Sequence, residues 1–104
     1  MYIESFKQLT VWQKSIELVK DVYQATLKLP QCEIYGLTSQ MRRSAISIPS
    51  NIAEGRKRKS RKDFVRFLSI ADGSAAELET QIIITKELYP RIDFSNIDSL
   101  LNEV

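Results

Sequence analysis

The first segment with helical hydrophobic spacing lies between Thr10 and Pro30. Its main stripe, in which each residue follows the last by three or four positions, consists of Trp12, Ile16, Val19, Tyr23 and Leu27. The residues that widen this stripe are Val11, Leu18, Val22, Ala25 and Leu29. Thr10 and Gln13 have the pattern of a capping box, which predicts that the helix starts at Thr10. Leu29 should end it, because the residue before a proline avoids helical angles.

The second segment keeps one hydrophobic phase across a proline. Its stripe consists of Ile34, Leu37, Met41, Ala45, Ile48 and Ile52. Because the phase continues past Pro49, the pattern predicts one helix that bends where the proline removes a backbone hydrogen bond. The alternative is a helix that ends near Ile46 and a second that begins with Ser47 as N-cap. Either way the segment should reach about Glu54, with Gly55 as its C-terminal stop.

The third segment predicts a helix from Arg61 to about Leu88, with Ser60 as N-cap three residues before Asp63. Its stripe consists of Phe64, Leu68, Ala71, Ala75, Leu78 and Ile82. A short fourth helix of about two turns is predicted from Ser95, where another capping pattern occurs. No segment alternates with the period of a strand, so the fold is predicted to be all-α. The connection between the first two helices is short, which makes them antiparallel neighbours.

The length of 104 residues leaves room for one core, so a single domain over 1–104 is expected. No apolar run approaches the roughly 20 residues of a membrane span, and no membrane partner is expected. The sole cysteine, Cys32, excludes an internal disulfide and favours a reducing compartment, so the predicted location is cytoplasmic.

The basic residues are concentrated in one part of the chain. Residues 42–66 carry nine basic side chains against two acids, a net charge of +7, although the whole chain has a net charge of only +2. The nine are Arg42, Arg43, Arg56, Lys57, Arg58, Lys59, Arg61, Lys62 and Arg66. Such a cluster attracts phosphates or acidic partners.

We interpret this cluster as a binding surface for RNA or DNA phosphates, centred on the turn between the second and third helices. Neutralised phosphates release counterions, which gives affinity without sequence preference. The turn has no aromatic stacking platform in the sequence, so base specificity is not expected. The alternatives are a solvated turn paired with Glu54 and Asp63, a nuclear localisation signal, and a protein-interaction scaffold that binds no nucleic acid.

Apolar residues also occur away from the predicted core stripes. They are Ile46 and Ala53 on the second helix and Val65, Ala76 and Ile83 on the third. A helix that is apolar on several sides is buried on several sides, which in so short a chain predicts contact with other subunits. These five residues are the predicted oligomer interface. Scattered apolar surface residues, which are normal, are the alternative.

The composition argues against catalysis. The chain has no histidine, which removes Ser-His-Asp and Cys-His nucleophilic systems and the histidine ligands of di-iron bundles. Asp72, Glu77 and Glu79 project at widely different angles from one helix, so they do not suggest a metal site. Cys32 has no neighbouring cation in the sequence that would activate it. We predict a non-enzymatic protein with no catalytic residue, metal or cofactor.

Four stretches of the sequence are recognisable. They run over residues 9–19, 35–45, 47–55 and 67–81, and Ser-Ile-Pro-Ser-Asn-Ile-Ala-Glu-Gly at 47–55 is the most distinctive. Together they resemble the four-helix-bundle family of 23S rRNA intervening-sequence proteins over about residues 6–88. The short fourth helix departs from the longer one of that family, and nothing after Pro90 matches distinctively.

The resemblance implies an antiparallel up-down-up-down four-helix bundle that assembles as a homopentamer. The related accessory variability determinant of diversity-generating retroelements shares this assembly and binds nucleic acid and a reverse transcriptase. The implied partners are therefore further copies of this chain, RNA or DNA, and a protein such as a reverse transcriptase.

Overall fold

Four helices make up most of the chain in the computed structural model, which describes residues 5–104. They are α1 (Thr10–Thr26), α2 (Leu37–Lys57), α3 (Arg61–Leu88) and α4 (Ser95–Glu103), with short 3-10 turns at Phe6–Gln8 and Gln31–Glu33. Residues 5–104 contain no strand. The helices form an antiparallel up-down-up-down bundle with a short fourth helix, which confirms the predicted all-α fold class.

Helix α2 is the shared neighbour of the other long helices. It packs against both α1 and α3, while α4 packs mainly on α1. The core side chains are Leu18, Val22, Ala25, Met41, Ala45, Ile48, Ile52, Ala71, Leu78, Ile82, Phe94 and Ile97. The molecule is a rod of 44 × 21 × 18 Å. Since α3 spans about 42 Å at 1.5 Å per residue, the turn that joins α2 to α3 closes one end of the rod.

The structure confirms a single second helix. Helix α2 runs through Pro49, which is buried in the core-facing side. The alternative in which Ser47 caps a new helix is wrong. The Ser47 hydroxyl lies 2.7 Å from the Ser74 hydroxyl of α3 and also accepts a hydrogen bond from Asn51 Nδ2 at 2.9 Å. Ser47 therefore joins α2 to α3 laterally and does not begin a helix.

Both predicted ends of the second stripe need correction. Gly55 does not stop α2, which continues to Lys57. Gly55 is buried, and a Cβ on this residue would lie 2.8 Å from the Cβ of Phe67. The glycine thus permits a close crossing with α3. At the other end, Ile34 precedes the helix and is 45% exposed, so it does not belong to the core stripe.

The predicted stripe of the first helix is rotated from the observed one. Val19 and Trp12 are half-buried and Leu27 is 69% exposed, whereas Leu18, Val22 and Ala25 from the widening set are buried. The buried face of α1 also contains two hydroxyl residues, Ser15 and Thr26. They are tolerated there because the Ser15 hydroxyl donates to Trp12 O at 2.7 Å and the Thr26 hydroxyl to Val22 O at 2.8 Å. The prediction counted only apolar residues and left out Ser15 and Thr26, so it placed the buried face of α1 on the wrong side of the helix.

Of the predicted N-terminal caps of α1 and α3, one is confirmed and one is wrong. Ser60 caps α3 as predicted, with its Oγ accepting from Asp63 N at 3.1 Å. Helix α1 does begin at Thr10, as predicted, but the capping box is wrong: Leu9 is the N-cap, and the Gln13 amide instead donates to Lys7 O at 3.0 Å. The backbone of the preceding turn thus offers Gln13 a competing acceptor, which the spacing of Thr10 and Gln13 does not reveal.

Helix α4 begins at Ser95, as predicted, but its cap differs from the expected pattern. Ser95 is its first residue and not its N-cap, which is Phe94. The Asp93 carboxylate accepts a hydrogen bond from Ser95 N at 2.9 Å, and this bond lowers the pKa of Asp93. The charged carboxylate is favoured at this position because it meets the N-terminus of a helix.

Candidate nucleic-acid interface

The turn between α2 and α3 brings seven of the predicted binding residues to one end of the rod. Helix α2 ends at Lys57 and α3 begins at Arg61, so only three residues separate them. Because the helices are antiparallel, the cations of the last turn of α2 meet those of the first turns of α3. We call this set the basic turn; it consists of Arg56, Lys57, Arg58, Lys59, Arg61, Lys62 and Arg66.

Acidic side chains neutralise little of the basic turn. Arg58 pairs with Glu54 at 3.3 Å and Arg66 lies 3.9 Å from Asp63, and all four side chains are at least 44% exposed. Exposed pairs of this kind are worth about 0–1 kcal/mol. Three further cations, Lys59, Arg61 and Lys62, are exposed and form no ion pair within residues 5–104. Pairing with Glu54 and Asp63 therefore leaves most of the positive charge available.

Aromatic rings adjoin the basic turn, which corrects the expectation that it has no stacking platform. The guanidinium carbons of Arg58 and Arg66 lie 4.9 and 4.5 Å from the centroid of the Phe67 ring. The Lys57 ammonium lies 5.9 Å from the Phe6 ring. The sequence pattern connected neither Phe67 nor Phe6 with the turn. The sequence signal for Phe67 was its position directly after Arg66 on a helix that starts in the basic run.

Two predicted binding residues lie elsewhere. Arg42 and Arg43 are on the N-terminal half of α2, roughly 20 Å along the helix from Arg56 at 1.5 Å per residue. Arg42 is held against α1, where its Nε donates to Thr26 Oγ1 at 2.9 Å and its guanidinium carbon lies 4.3 Å from the Tyr23 ring centroid. Its charge serves the packing of α1 on α2. Arg43 is exposed but separate from the basic turn.

The five predicted interface residues lie on the outside of the single chain. Ile46, Val65 and Ile83 are 42%, 51% and 53% exposed, Ala76 is exposed and Ala53 is half-buried. Ile46 and Ala53 border an apolar groove between α1 and α2 that Trp12 and Ile16 also line. Helix α3 has a second exposed apolar flank with Ile70, Ile84 and Leu88.

A polar cluster at the opposite end of the rod joins the ends of two helices. The Tyr89 hydroxyl donates to Glu33 Oε2 at 2.7 Å, and this hydrogen bond, followed by desolvation, raises the pKa of Tyr89 to about 12. The other carboxylate oxygen of Glu33 accepts from Leu37 N at 3.2 Å, at the start of α2. Both contacts are structural: they fasten the end of α3 to the beginning of α2.

The remaining chemistry-bearing residues are dispersed. Asp72, Glu77 and Glu79 are exposed along α3, and Cys32 is exposed in the α1–α2 connection. Residues 5–104 bring no three acidic or cysteine side chains together in a group that would hold a metal ion. None of the helices described combines the length and apolar character that a membrane crossing requires.

Comparison with known proteins identifies the relatives of this chain. The profile of a family described as 23S rRNA-intervening sequence protein matches residues 7–104. A crystal structure of a protein of unknown function from the S23 ribosomal protein family of Bacteroides thetaiotaomicron VPI-5482 is similar, with a TM-score of 0.73 and 27% sequence identity over 89% of this chain and 86% of that chain. No curated protein sequence matches significantly.

Proposed function

The chain belongs to the 23S rRNA-intervening sequence protein family, and on that basis we propose that it is a non-catalytic protein that binds RNA or DNA phosphates through its basic turn. The supporting observation is the group of exposed cations, Lys59, Arg61 and Lys62, that no carboxylate within residues 5–104 neutralises. Cations held this closely repel one another, and a polyanion relieves the repulsion. Counterions that leave the phosphates add favourable entropy.

Assembly would make this weak site effective. One turn supplies only a few phosphate contacts, whereas a ring of subunits would present several turns to one strand, and the linked contacts would multiply the affinity. The exposed apolar side chains of Ile46, Val65 and Ile83 are the surfaces we assign to such an assembly, and the family resemblance supplies five as the number of subunits. The proposed state is a cytoplasmic homopentamer.

The contacts of the basic turn would be largely independent of sequence. Lysine and arginine bonds to phosphate oxygens position a protein on a nucleic acid but carry no sequence information directly. Affinity should therefore fall steeply with salt and vary little among sequences of the same strandedness.

A salt titration with two matched variants tests the proposal. The first replaces Lys59, Arg61 and Lys62 by glutamine; the second replaces Lys20, Lys28 and Arg91, which lie away from the turn, and changes the net charge equally. Binding of RNA and DNA oligonucleotides is measured by fluorescence anisotropy between about 50 and 200 mM salt. Removal of each cation that binds a phosphate should flatten the slope of log affinity against log salt by about 0.7 on single strands and about 0.9 on duplex DNA.

The outcome decides between two functions. If only the first variant has reduced affinity and a flatter slope, the basic turn is the binding site. If both variants are weakened equally, binding follows net charge alone and the assigned site is wrong. If wild-type protein retains neither nucleic acid at about 50 mM salt, the protein-interaction scaffold replaces this proposal. The exposed apolar flanks of α3 would then be the surface that recruits a protein partner.

A further inference from the structure

An open groove beside the basic turn contains the aromatic rings described above. It lies between the 3-10 turn at Phe6–Gln8, the C-terminal half of α2 and the start of α3, and it has a volume of about 500 Å³. The lining residues that matter for its chemistry are Phe6, Asn51, Ala53, Glu54, Lys57 and Phe67. The groove thus combines the phenyl rings of Phe6 and Phe67 with the lysine Lys57. Ala53 is small and leaves room between them.

The Phe67 ring is fixed in position by the helix crossing. Its Cβ lies against Gly55, where a Cβ on the glycine would come within 2.8 Å of it. The ring is half-buried, so part of it remains accessible. Two guanidinium groups, those of Arg58 and Arg66, lie within 5 Å of its centroid at 4.9 and 4.5 Å. Both arginines are exposed, so a phosphate can reach their guanidinium groups.

We propose that this groove takes an unpaired nucleobase, which stacks on Phe67 while Arg58 and Arg66 contact the flanking phosphates. The inference rests on the proposed nucleic-acid binding and specifies its preferred ligand as single-stranded RNA or DNA. Bases stack on aromatic rings and on guanidinium planes regardless of their identity, because every base has a π face. In a duplex the bases are stacked on one another and do not reach such a groove. Phosphate contacts alone would not distinguish the two forms in this way.

The test compares single strands and duplexes of about 12 nucleotides for wild type and three variants. Phe67→Leu removes the ring and keeps an apolar side chain against Gly55. Phe67→Tyr retains the ring. Tyr23→Leu is the matched control, because Arg42 stacks on the Tyr23 ring in the same way and this ring lies far from the turn. Circular dichroism melting establishes that each variant folds.

Phe67→Leu should weaken single-strand binding about fivefold or more and leave duplex binding within about twofold, since stacking of one base on an aromatic ring has an effect of this size. The salt slope should stay unchanged, because no cation is removed. Phe67→Tyr and Tyr23→Leu should bind single strands as wild type does. An oligonucleotide with an iodinated uracil should crosslink to Phe67 on irradiation, and uridine and deoxyuridine versions distinguish RNA from DNA.

The failures of the two proposals are separable. If wild type binds and Phe67→Leu retains its single-strand affinity, the stacking groove is wrong and the phosphate-binding function stands. Equal weakening on single strands and duplexes would also overturn the groove, because it would indicate a general disturbance of the turn. If wild type binds neither form, both proposals fail.

Discussion

Gly55 of α2 and Phe67 of α3 meet where only a glycine fits: a Cβ on Gly55 would lie 2.8 Å from the Cβ of Phe67 and 3.3 Å from Phe64 Cδ1. The nearest obstacle is the fixed base of a side chain and not its flexible end, so relief requires a shift of the helix backbone. The same crossing positions the aromatic ring of the proposed groove. The stability of the α2–α3 packing and the shape of the proposed groove thus both depend on the contact between Gly55 and Phe67.

Gly55→Ala should lower the free energy of unfolding by about 0.5–2 kcal/mol, because overpacking costs more than the better helix propensity of alanine returns. Gly73→Ala is the matched control. No atom lies within 4 Å of a Cβ at Gly73, so this variant should be more stable by about 0.5–1 kcal/mol. Chemical denaturation of both variants checks the pair. Equal effects would show that the α2–α3 crossing is looser than described.

Leu18→Ala and Leu27→Ala test which face of α1 is buried. Leu18 is fully buried, and its truncation should lower the free energy of unfolding by about 2–5 kcal/mol. Leu27 is 69% exposed, and its truncation should change that energy by less than about 0.5 kcal/mol. Denaturant melts of both proteins measure the difference. A larger effect for Leu27→Ala than for Leu18→Ala would contradict the observed burial and support the face that the hydrophobic spacing predicted.

Spacing predicted α3 well because its pattern and its caps agree. The helix begins at Arg61 and ends at Leu88 as expected, and Leu78 and Ile82 of the predicted stripe are buried. The rotation of α1 could not be predicted in this way. Its buried face includes Ser15 and Thr26, whose hydroxyls are satisfied by their own helix, and a sequence pattern does not show which neighbour the helix meets.

The basic turn could be predicted from composition, since six of the seven residues from Arg56 to Lys62 are basic. Its aromatic neighbours could not. Phe67 is brought under Arg58 by the helix crossing, and Phe6 lies beside Lys57 although the two are far apart in the sequence. Arg42 illustrates the reverse error: it belongs to the basic window in sequence but is bound to α1 in space.

Light scattering should give a mass near five copies of the 12.0 kDa chain. Ile83→Asp and Val65→Asp should reduce it, because each puts a charge into a surface that is apolar and, in our assignment, covered by a neighbouring subunit. Dissociation should also weaken nucleic-acid binding, since the separated subunits would each bind through one turn alone.

Leu27→Asp is the control for this experiment. It introduces the same charge at a leucine that is 69% exposed and outside the assigned interface, so the mass should not change. A wild-type monomer at micromolar concentration would refute both the interface assignment and the argument from linked sites.

Tyr89→Phe should remove a pH-dependent part of the stability. The pKa of Tyr89 is raised from 10.0 to about 12 by its hydrogen bond to Glu33, so the folded state favours the protonated phenol. This contribution is fully present below pH 10 and is lost as the pH rises through about 12. The melting temperature of the variant should therefore lie below that of wild type at neutral pH, and the difference should close in strong alkali.

The control is Tyr35→Phe, at a ring that is 96% exposed, which should melt as wild type does throughout the range. Absorbance of the phenolate gives an independent measure, because an ionisation at a pH of about 12 in wild type should be absent from the Tyr89 variant. A Tyr89 variant whose melting temperature differs from wild type by a constant amount at every pH would contradict the assignment.

The basic turn makes the molecule an electric dipole, because it closes one end of a rod 44 Å long while the residues outside it carry a net negative charge. The field of a polyanion exerts a torque on such a dipole and turns the rod before contact is made. With the proposed ligand the first encounter would be end-on, and the long flanks with their exposed apolar side chains would point away from the strand. In the proposed assembly, a subunit would thus meet a nucleic acid at its tip while its sides remain open to neighbours.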